Sequence, residues 1–290
     1  MSDAGSALAA ALAADIDRLL AAEPEVRADA PDSVHQMRVA TRRLRSVLKS
    51  YRTLLHKDPA AELGAELRWL AGLLGAARDA EVRAERFTAL LATDRETSAD
   101  RRAAVAARLV DGERERYASA HATVLDVLDG ERYRALRRTL ERWRAQPPLR
   151  PARAARPAAE FFGVVLERDS ERLEAQIRGE PSVPAADRLE ALHDIRKSAK
   201  RLRYCAEAAE RVLGEAAATQ RERAKHLQTV LGDHRDAVES EHALLDAAAA
   251  AERAGEDTTV YRNLAATEAA AAQRCLARYP HAAQVFTRAD

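Results

Sequence analysis

Val34-His35-Gln36-Met37-Arg38-Val39-Ala40-Thr41-Arg42-Arg43-Leu44-Arg45 aligns without a gap on Leu192-His193-Asp194-Ile195-Arg196-Lys197-Ser198-Ala199-Lys200-Arg201-Leu202-Arg203, an offset of 158 between His35 and His193. A second pair follows at almost the same spacing. Leu70-Ala71-Gly72-Leu73-Leu74-Gly75-Ala76-Ala77-Arg78-Asp79-Ala80 aligns on Leu227-Gln228-Thr229-Val230-Leu231-Gly232-Asp233-His234-Arg235-Asp236-Ala237, an offset of 157 between Leu70 and Leu227. Two matches at nearly one spacing indicate an internal duplication. Gln146 to Pro157, with four prolines and no apolar period, marks a break between helices. The chain therefore reads as one unit over about 6–286, with repeat one at about 6–145, a Pro-rich linker at 146–157 and repeat two at about 158–286.

Inside the quoted stretch the period is helical. Met37, Leu44, Val47, Leu48, Tyr51 and Leu55 fall on one arc at about 100° per residue and form a core face. His35, Arg38, Arg42, Arg45, Lys49 and Arg52 fall on another, a ladder of roughly 25 Å. A first helix is expected from about Ser6 to Ala22, ending near Pro24, and the second begins near Ser33. Gly75 and Gly232 suit turns or close helix contacts, so Arg78-Asp79 and Arg235-Asp236 are expected to open a following helix. Segments around Ala99 to Ala120, Glu131 to Ala145, Ala158 to Ile177 and Asp257 to Tyr279 supply further amphipathic helices. With aromatics at 4% and only 11 Gly and 10 Pro in 290 residues, an all-β fold is excluded and an all-α architecture of helical bundles follows.

Charge sharpens the functional reading. The 47 Lys and Arg nearly cancel against 46 Asp and Glu, leaving +1, which argues against a protein that holds nucleic acid through its overall field. A basic site must come from local segregation, and Val34 to Arg52 has it: six Arg or Lys and no acid. His193, Arg196, Lys200 and Arg203 repeat the angular pattern in the second copy. If the copies pack about a pseudo-twofold axis, both stripes face one groove, and that surface demands an anion. Arg presents a planar fork matched to phosphate oxygens and Lys a compact point charge, a mixture suited to a phosphate chain. Histidine at the head of each stripe can donate to phosphate and gains charge as pH falls.

Cys205 and Cys275 lie far apart in helical patterns and are expected to be buried free thiols. No apolar run approaches a membrane span, and the first residues lack a signal pattern, so a soluble, cytoplasmic protein with no membrane association is the expectation.

The two stripes resemble the conserved histidine α-helical domain, or CHAD, family. Its His-x-x-Arg-x-x-x-(Arg/Lys)-x-x-Arg pattern stands here as His35, Arg38, Arg42 and Arg45, and again as His193, Arg196, Lys200 and Arg203 followed by Tyr204; its Leu-Gly-x-x-Arg-Asp element is present in both halves. The resemblance implies two helical bundles related by pseudo-twofold symmetry around a basic central channel. It also implies binding of inorganic polyphosphate, and with it association with polyphosphate granules. Arg78 and Arg235 are motif-matched and extend the candidate groove, with Lys225 beside it. Lys49 and Arg52 extend only the first stripe, because Glu207 and Glu210 stand near the corresponding places, which would make one end of the channel more basic. Asp79 and Asp236 are expected to cap or to orient a basic neighbour. Arg43 and Arg201 lie off the stripe, and Arg201 is expected to be solvated.

An enzyme is not expected. His193-Asp194 is an HD dipeptide, but Gln36 replaces the acid in the first copy, and no HExxH, Cys pair, GxSxG or Gly-rich phosphate loop accompanies it, so neither a metal nor another cofactor is called for. Glu23-x-Glu25-x-Arg27 has the look of the acidic motif of triphosphate tunnel enzymes, but it borders Pro24 without any strand pattern and reads as a linker. The alternatives to a binding module are a metal-dependent polyphosphate or nucleotide phosphohydrolase, and a scaffold for nucleic acid or an acidic protein. Only Tyr51 and Tyr204 lie near the stripes, so base stacking, and nucleic acid with it, is disfavoured.

Overall fold

The computed structural model describes residues 2–94 and 97–287. Helix α1 (Ala4–Arg27) starts where the Asp3 carboxylate accepts the Ser6 N–H at 2.7 Å, relieving one of the unpaired donors of a first turn. It runs one turn past Pro24, with Glu23 and Val26 held on its buried side. The Glu23 motif is thus the end of a helix rather than a linker: Glu23 accepts from Tyr133 Oη at 2.9 Å, Arg27 Nε at 3.0 Å and Arg137 Nη1 at 3.1 Å.

Helix α2 (Ser33–Ser50) begins where the sequence places it. Met37, Leu44, Val47, Leu48 and Tyr51 are buried, as the apolar arc requires. Leu55 is buried too, but beyond the helix end and after a 3-10 turn at Arg52–Leu54.

Helix α3 (Lys57–Thr93) overturns the expected turn at Gly75, because it passes straight through, and Arg78 sits in its middle. A glycine costs a helix about 1 kcal/mol relative to alanine, and the Ala, Leu and Arg around it together with a packed inner face outweigh that. After α3 come α4 (Ala99–Ala106), a π turn at Ala107–Asp111, α5 (Gly112–Asp129), α6 (Glu131–Ala145) and the short α7 (Pro151–Ala154).

The second copy opens with α8 (Ala158–Gly179), continues through α9 (Arg188–Leu213) and α10 (Glu215–Arg253), and is followed by α11 (Thr259–Gln284). Gly232 lies inside α10, so no helix opens at Arg235 either. The fold is all-α.

The main apolar core takes residues from both copies, including Leu12 and Ile16 of α1, Leu44 of α2, Leu67 of α3, Phe162 of α8, Leu202 of α9 and Leu227 of α10. Burying each such side chain contributes about 1.5–3 kcal/mol before the entropy of ordering it. A smaller core gathers Phe87 and Leu91 at the far end of α3, Leu109 of the π turn, Leu244 of α10 and Tyr261 of α11. Helices α2 and α9 touch one another, which brings the two quoted stretches side by side. Among the described residues no helix is long and apolar enough to cross a membrane.

Candidate functional site

The polar faces of α2 and α9 meet as a cluster of cations. The strongest charged neighbours of Lys200 are Arg42, Arg196, Arg38 and Arg235, so α2, α9 and α10 all contribute to it. Burial first, and then these guanidiniums, push the Lys200 ammonium down to about 6. Burial followed by neighbouring arginines also lowers Arg38 and Arg196, although acids oppose the shift, Asp79 at Arg38 and both Asp236 and Glu239 at Arg196. Arg38 Nη2 stands 3.5 Å from Asp79, so that acid orients a basic side chain and does not cap a helix. Asp236 is itself raised, chiefly by burial.

The two glycines explain how the arginines lie. A Cβ added at Gly232 would stand 3.3 Å from Arg196 Nη2 and 3.4 Å from its Nε, and one at Gly75 would stand 3.8 Å from Arg38 Nε. Each bare patch of helix is a floor on which the guanidinium of the opposite helix rests. Arg42, Arg196 and Arg203 have buried Nε groups with no hydrogen-bond partner among the described residues. A buried donor without a partner carries a desolvation cost of about 1–3 kcal/mol, more for a charged group.

Each histidine stands beside an arginine of a neighbouring long helix, His35 beside Arg78 and His193 beside Arg235. Burial and then Arg78 hold His35 below its ordinary value, and burial and then Arg235 do the same to His193. Arg235 Nη1 donates to His193 Nδ1 at 2.8 Å, which leaves Nε2 carrying the ring proton and able to donate. Lowered in this way, both rings favour the neutral form, which serves as a hydrogen-bonding group. The outer arginines are partly compensated: Arg78 pairs with Glu81 at 2.8 Å and Asp32 at 3.7 Å, and Arg235 with Glu239 at 2.6 Å.

His35, Arg38, Arg42, Arg45, Arg78, His193, Arg196, Lys200 and Arg235 are thus brought together. Arg203 adjoins them, resting over the Tyr204 ring at 5.2 Å. Three predicted residues fall elsewhere. The strongest charged neighbours of Lys49 are Arg201, Arg172, Asp169 and Arg52, at the far end of α2, and Arg52 itself lies in the 3-10 turn. Lys225 is exposed and pairs with Glu222 at 3.6 Å.

Arg201 is not solvated. Its Nε donates to Asp169 Oδ2 at 3.0 Å and its Nη2 to Oδ1 at 2.7 Å, and Ser50 of α2 donates to the same carboxylate at 2.6 Å. Its counterpart Arg43 binds Asp15 at 3.0 Å and also pairs with Glu207 of α9. Both off-stripe arginines tie helices together. Sequence reasoning missed Arg68 of α3, the strongest charged neighbour of Arg45. The signal was there: Arg68 lies 157 residues before Lys225.

The second copy's HD dipeptide does not act as a unit, since Asp194 pairs with Lys197 of its own helix while His193 meets Arg235. Cys205 is a buried free thiol, whereas Cys275 is free but only partly buried.

Duplicated stripes, glycine floors and an all-α frame coincide with a match of residues 10–245 to the CHAD domain family model. The chain belongs to the CHAD domain family. Two curated Mycobacterium tuberculosis proteins, the uncharacterized proteins MT2285 and Rv2226, are each 40% identical to it over 272 residues, covering 91% of this chain and 50% of theirs. The chain therefore spans about half the length of those relatives. Two solved structures share its fold. PptA from Streptomyces chartreusis has a TM-score of 0.80 at 22% identity, covering 98% of this chain and 100% of that one. The CHAD domain from the plant Ricinus communis has a TM-score of 0.67 at 24% identity, covering 98% and 92%.

Proposed function

We propose that this CHAD domain binds long-chain inorganic polyphosphate as a non-enzymatic module, with the polymer lying in a basic groove between α2 and α9. The observation that carries the reading is the convergence of Arg38 and Arg42 from one copy with Arg196, Lys200 and Arg235 from the other. Such a cluster is costly when empty, and a linear polyanion relieves that cost along its whole length. Family membership supplies the ligand class, and the charges supply the place. The terminal nitrogens of the arginines give charge-assisted hydrogen bonds, Lys200 gains a proton as negative charge arrives, and released counterions add an entropic drive.

The acids that pair with Arg78 and Arg235 stand at the margin and would leave the middle of the groove the most attractive part. Nucleic acid is a poorer fit. Tyr51 and Tyr204 are both buried, with Tyr51 Oη donating to the Cys205 carbonyl at 3.0 Å, so neither ring is free to stack on a base. Hydrolysis by a metal site built on His193 and Asp194 is disfavoured by the pairing of Asp194 with Lys197.

Titration with long-chain polyphosphate at fixed, near-physiological salt, with tripolyphosphate and single-stranded DNA as competitors and free phosphate followed for hours, tests the proposal. Tight binding that neither competitor displaces, without phosphate release, is the expected result. Phosphate release would make the chain a hydrolase, and equal or better binding of DNA would make it a nucleic-acid protein.

A further inference from the structure

The turn that joins α1 to α2 borders a cavity that opens away from the arginines of α2 and α9. Asp29, Ala30 and Pro31 of that turn, α3 from Glu81 to Ala92, and Arg114 and Tyr117 of α5 surround about 650 Å³, the size of a small-molecule site. On α3 the lining residues Glu81, Glu85, Thr88 and Ala92 follow the three- and four-residue steps of one helix face, so the cavity tracks that helix for roughly 16 Å. Its apolar wall comes from Pro31, Ala84, Ala89 and Ala92.

Three carboxylates line the same cavity, and each keeps an oxygen with no hydrogen-bond or ion-pair partner among the described residues. Asp29 Oδ1 accepts the Tyr117 hydroxyl and stands 3.6 Å from His121 Nε2, which leaves Oδ2. Glu81 Oε2 accepts from Arg78 Nη1 at 2.8 Å, which leaves Oε1. Glu85 is exposed and has no such partner at all. Arg114 brings a positive charge to the wall, but Asp111 already holds it at 2.9 Å.

The spacing of these acids selects the kind of cation. Among the described residues no three His, Cys, Asp or Glu side chains gather closely enough to hold a metal ion, so the carboxylates are spread along the wall and not grouped round a point. The Tyr117 ring, stacked on His121 with centroids 5.6 Å apart, adds an aromatic surface that attracts an ammonium group. Spaced negative charges beside apolar and aromatic surface match a chain of methylenes that carries ammonium groups at intervals.

We propose that this cavity is a binding site for a linear aliphatic polyamine. Its ammonium groups donate to Asp29, Glu81 and Glu85, and its methylenes lie over Ala84, Ala89 and Ala92. Burial of that carbon separates a polyamine from a hydrated divalent cation of similar charge. The site is distinct from the cluster between α2 and α9, and the proposal holds whatever anion that cluster takes.

Calorimetric titration of the intact chain with spermidine, at near-physiological salt and without polyphosphate, tests the proposal. Saturable binding of one spermidine per chain is expected, and an equal concentration of Mg²⁺ should not displace it. Glu85→Gln removes an exposed carboxylate and should weaken binding roughly two- to fivefold. Ala89→Trp fills the cavity, leaves every charge in place and should abolish saturable binding in a chain that keeps its helical circular-dichroism signal. If Ala89→Trp does not fold, Glu85→Gln decides alone. Absence of saturable binding, displacement by Mg²⁺, or spermidine affinity that is unchanged in the folded variants would overturn the proposal.

Discussion

The guanidinium of Arg196 rests on Gly232, its Nη2 3.3 Å from the place a Cβ would occupy. Arg38 holds the matching position over Gly75 with more room, at 3.8 Å. Alanine at either glycine stabilises its helix by about 0.5–1 kcal/mol. Only at Gly232 does the new methyl push a guanidinium aside. Gly232→Ala is expected to raise the melting temperature yet weaken polyphosphate binding roughly two- to fivefold, a loss of up to about 1 kcal/mol, whereas Gly75→Ala raises stability without changing affinity. Calorimetric titration of both variants decides; equal affinities in the two would show that the floor at Gly232 does not position Arg196.

Charge reversal tests the cluster itself. Arg38→Glu with Arg42→Glu, or Arg196→Glu with Lys200→Glu, removes two charge-assisted contacts of about 1.5–3 kcal/mol each and adds repulsion, so affinity should fall roughly a hundredfold or more. The slope of log affinity against log salt should become shallower as well. Circular dichroism should keep its helical signal. Reversal of Lys225, which lies outside the cluster against Glu222, should change affinity little.

The lowered Lys200 ammonium has a definite consequence for pH. An unfolded chain holds this proton up to the ordinary value of 10.5, whereas the folded chain releases it above about 6. Across that window the unfolded state binds more protons, so this group makes stability rise with pH, by at most about 1.4 kcal/mol per unit. His35 and His193, both lowered, act in the same direction below their ordinary 6.5. Lys200→Met should therefore be more stable than the parent at pH 7 and show a flatter stability profile between pH 6.5 and 9 in urea titrations. An unchanged profile would mean that Lys200 is charged in the free protein. Polyphosphate binding at pH 8 should take up close to one proton in the parent and none at this position in the variant, measured in buffers of different ionisation enthalpy.

Asp169 belongs to the frame and not to the site. It is buried against Arg201 and Ser50, joining α8, α9 and α2. Asp169→Ala leaves the Arg201 charge without its partner and should cost about 3–5 kcal/mol in urea unfolding. Polyphosphate affinity of the folded fraction should stay near that of the parent; a large loss would place Arg201 in the ligand path.

Much of this was legible in the sequence, and the misses have a common cause. The helical period of α2, its start at Ser33 and the facing of two basic stripes all follow from local spacing and from the duplication. The role of Gly75 and Gly232 does not, because a glycine under an arginine of another helix looks the same in sequence as a glycine in a turn. Arg201 and Lys200 are adjacent, yet one meets a buried carboxylate contributed by α8 and the other meets guanidiniums. That distinction lies in tertiary packing. Arg68 was within reach through the 157-residue offset, but its counterpart Lys225 pairs with an acid of its own helix, so the two copies no longer use the position alike.

A crystal structure of the chain with long-chain polyphosphate bound is the most direct test of the central claim. The polymer is predicted to run between α2 and α9, with phosphate oxygens on the terminal nitrogens of Arg42 and Arg196 and on the Lys200 amine. Phosphate bound only at outer positions such as Lys225 or the Lys49 end of α2, with the Arg42, Arg196 and Lys200 cluster unoccupied, would contradict it.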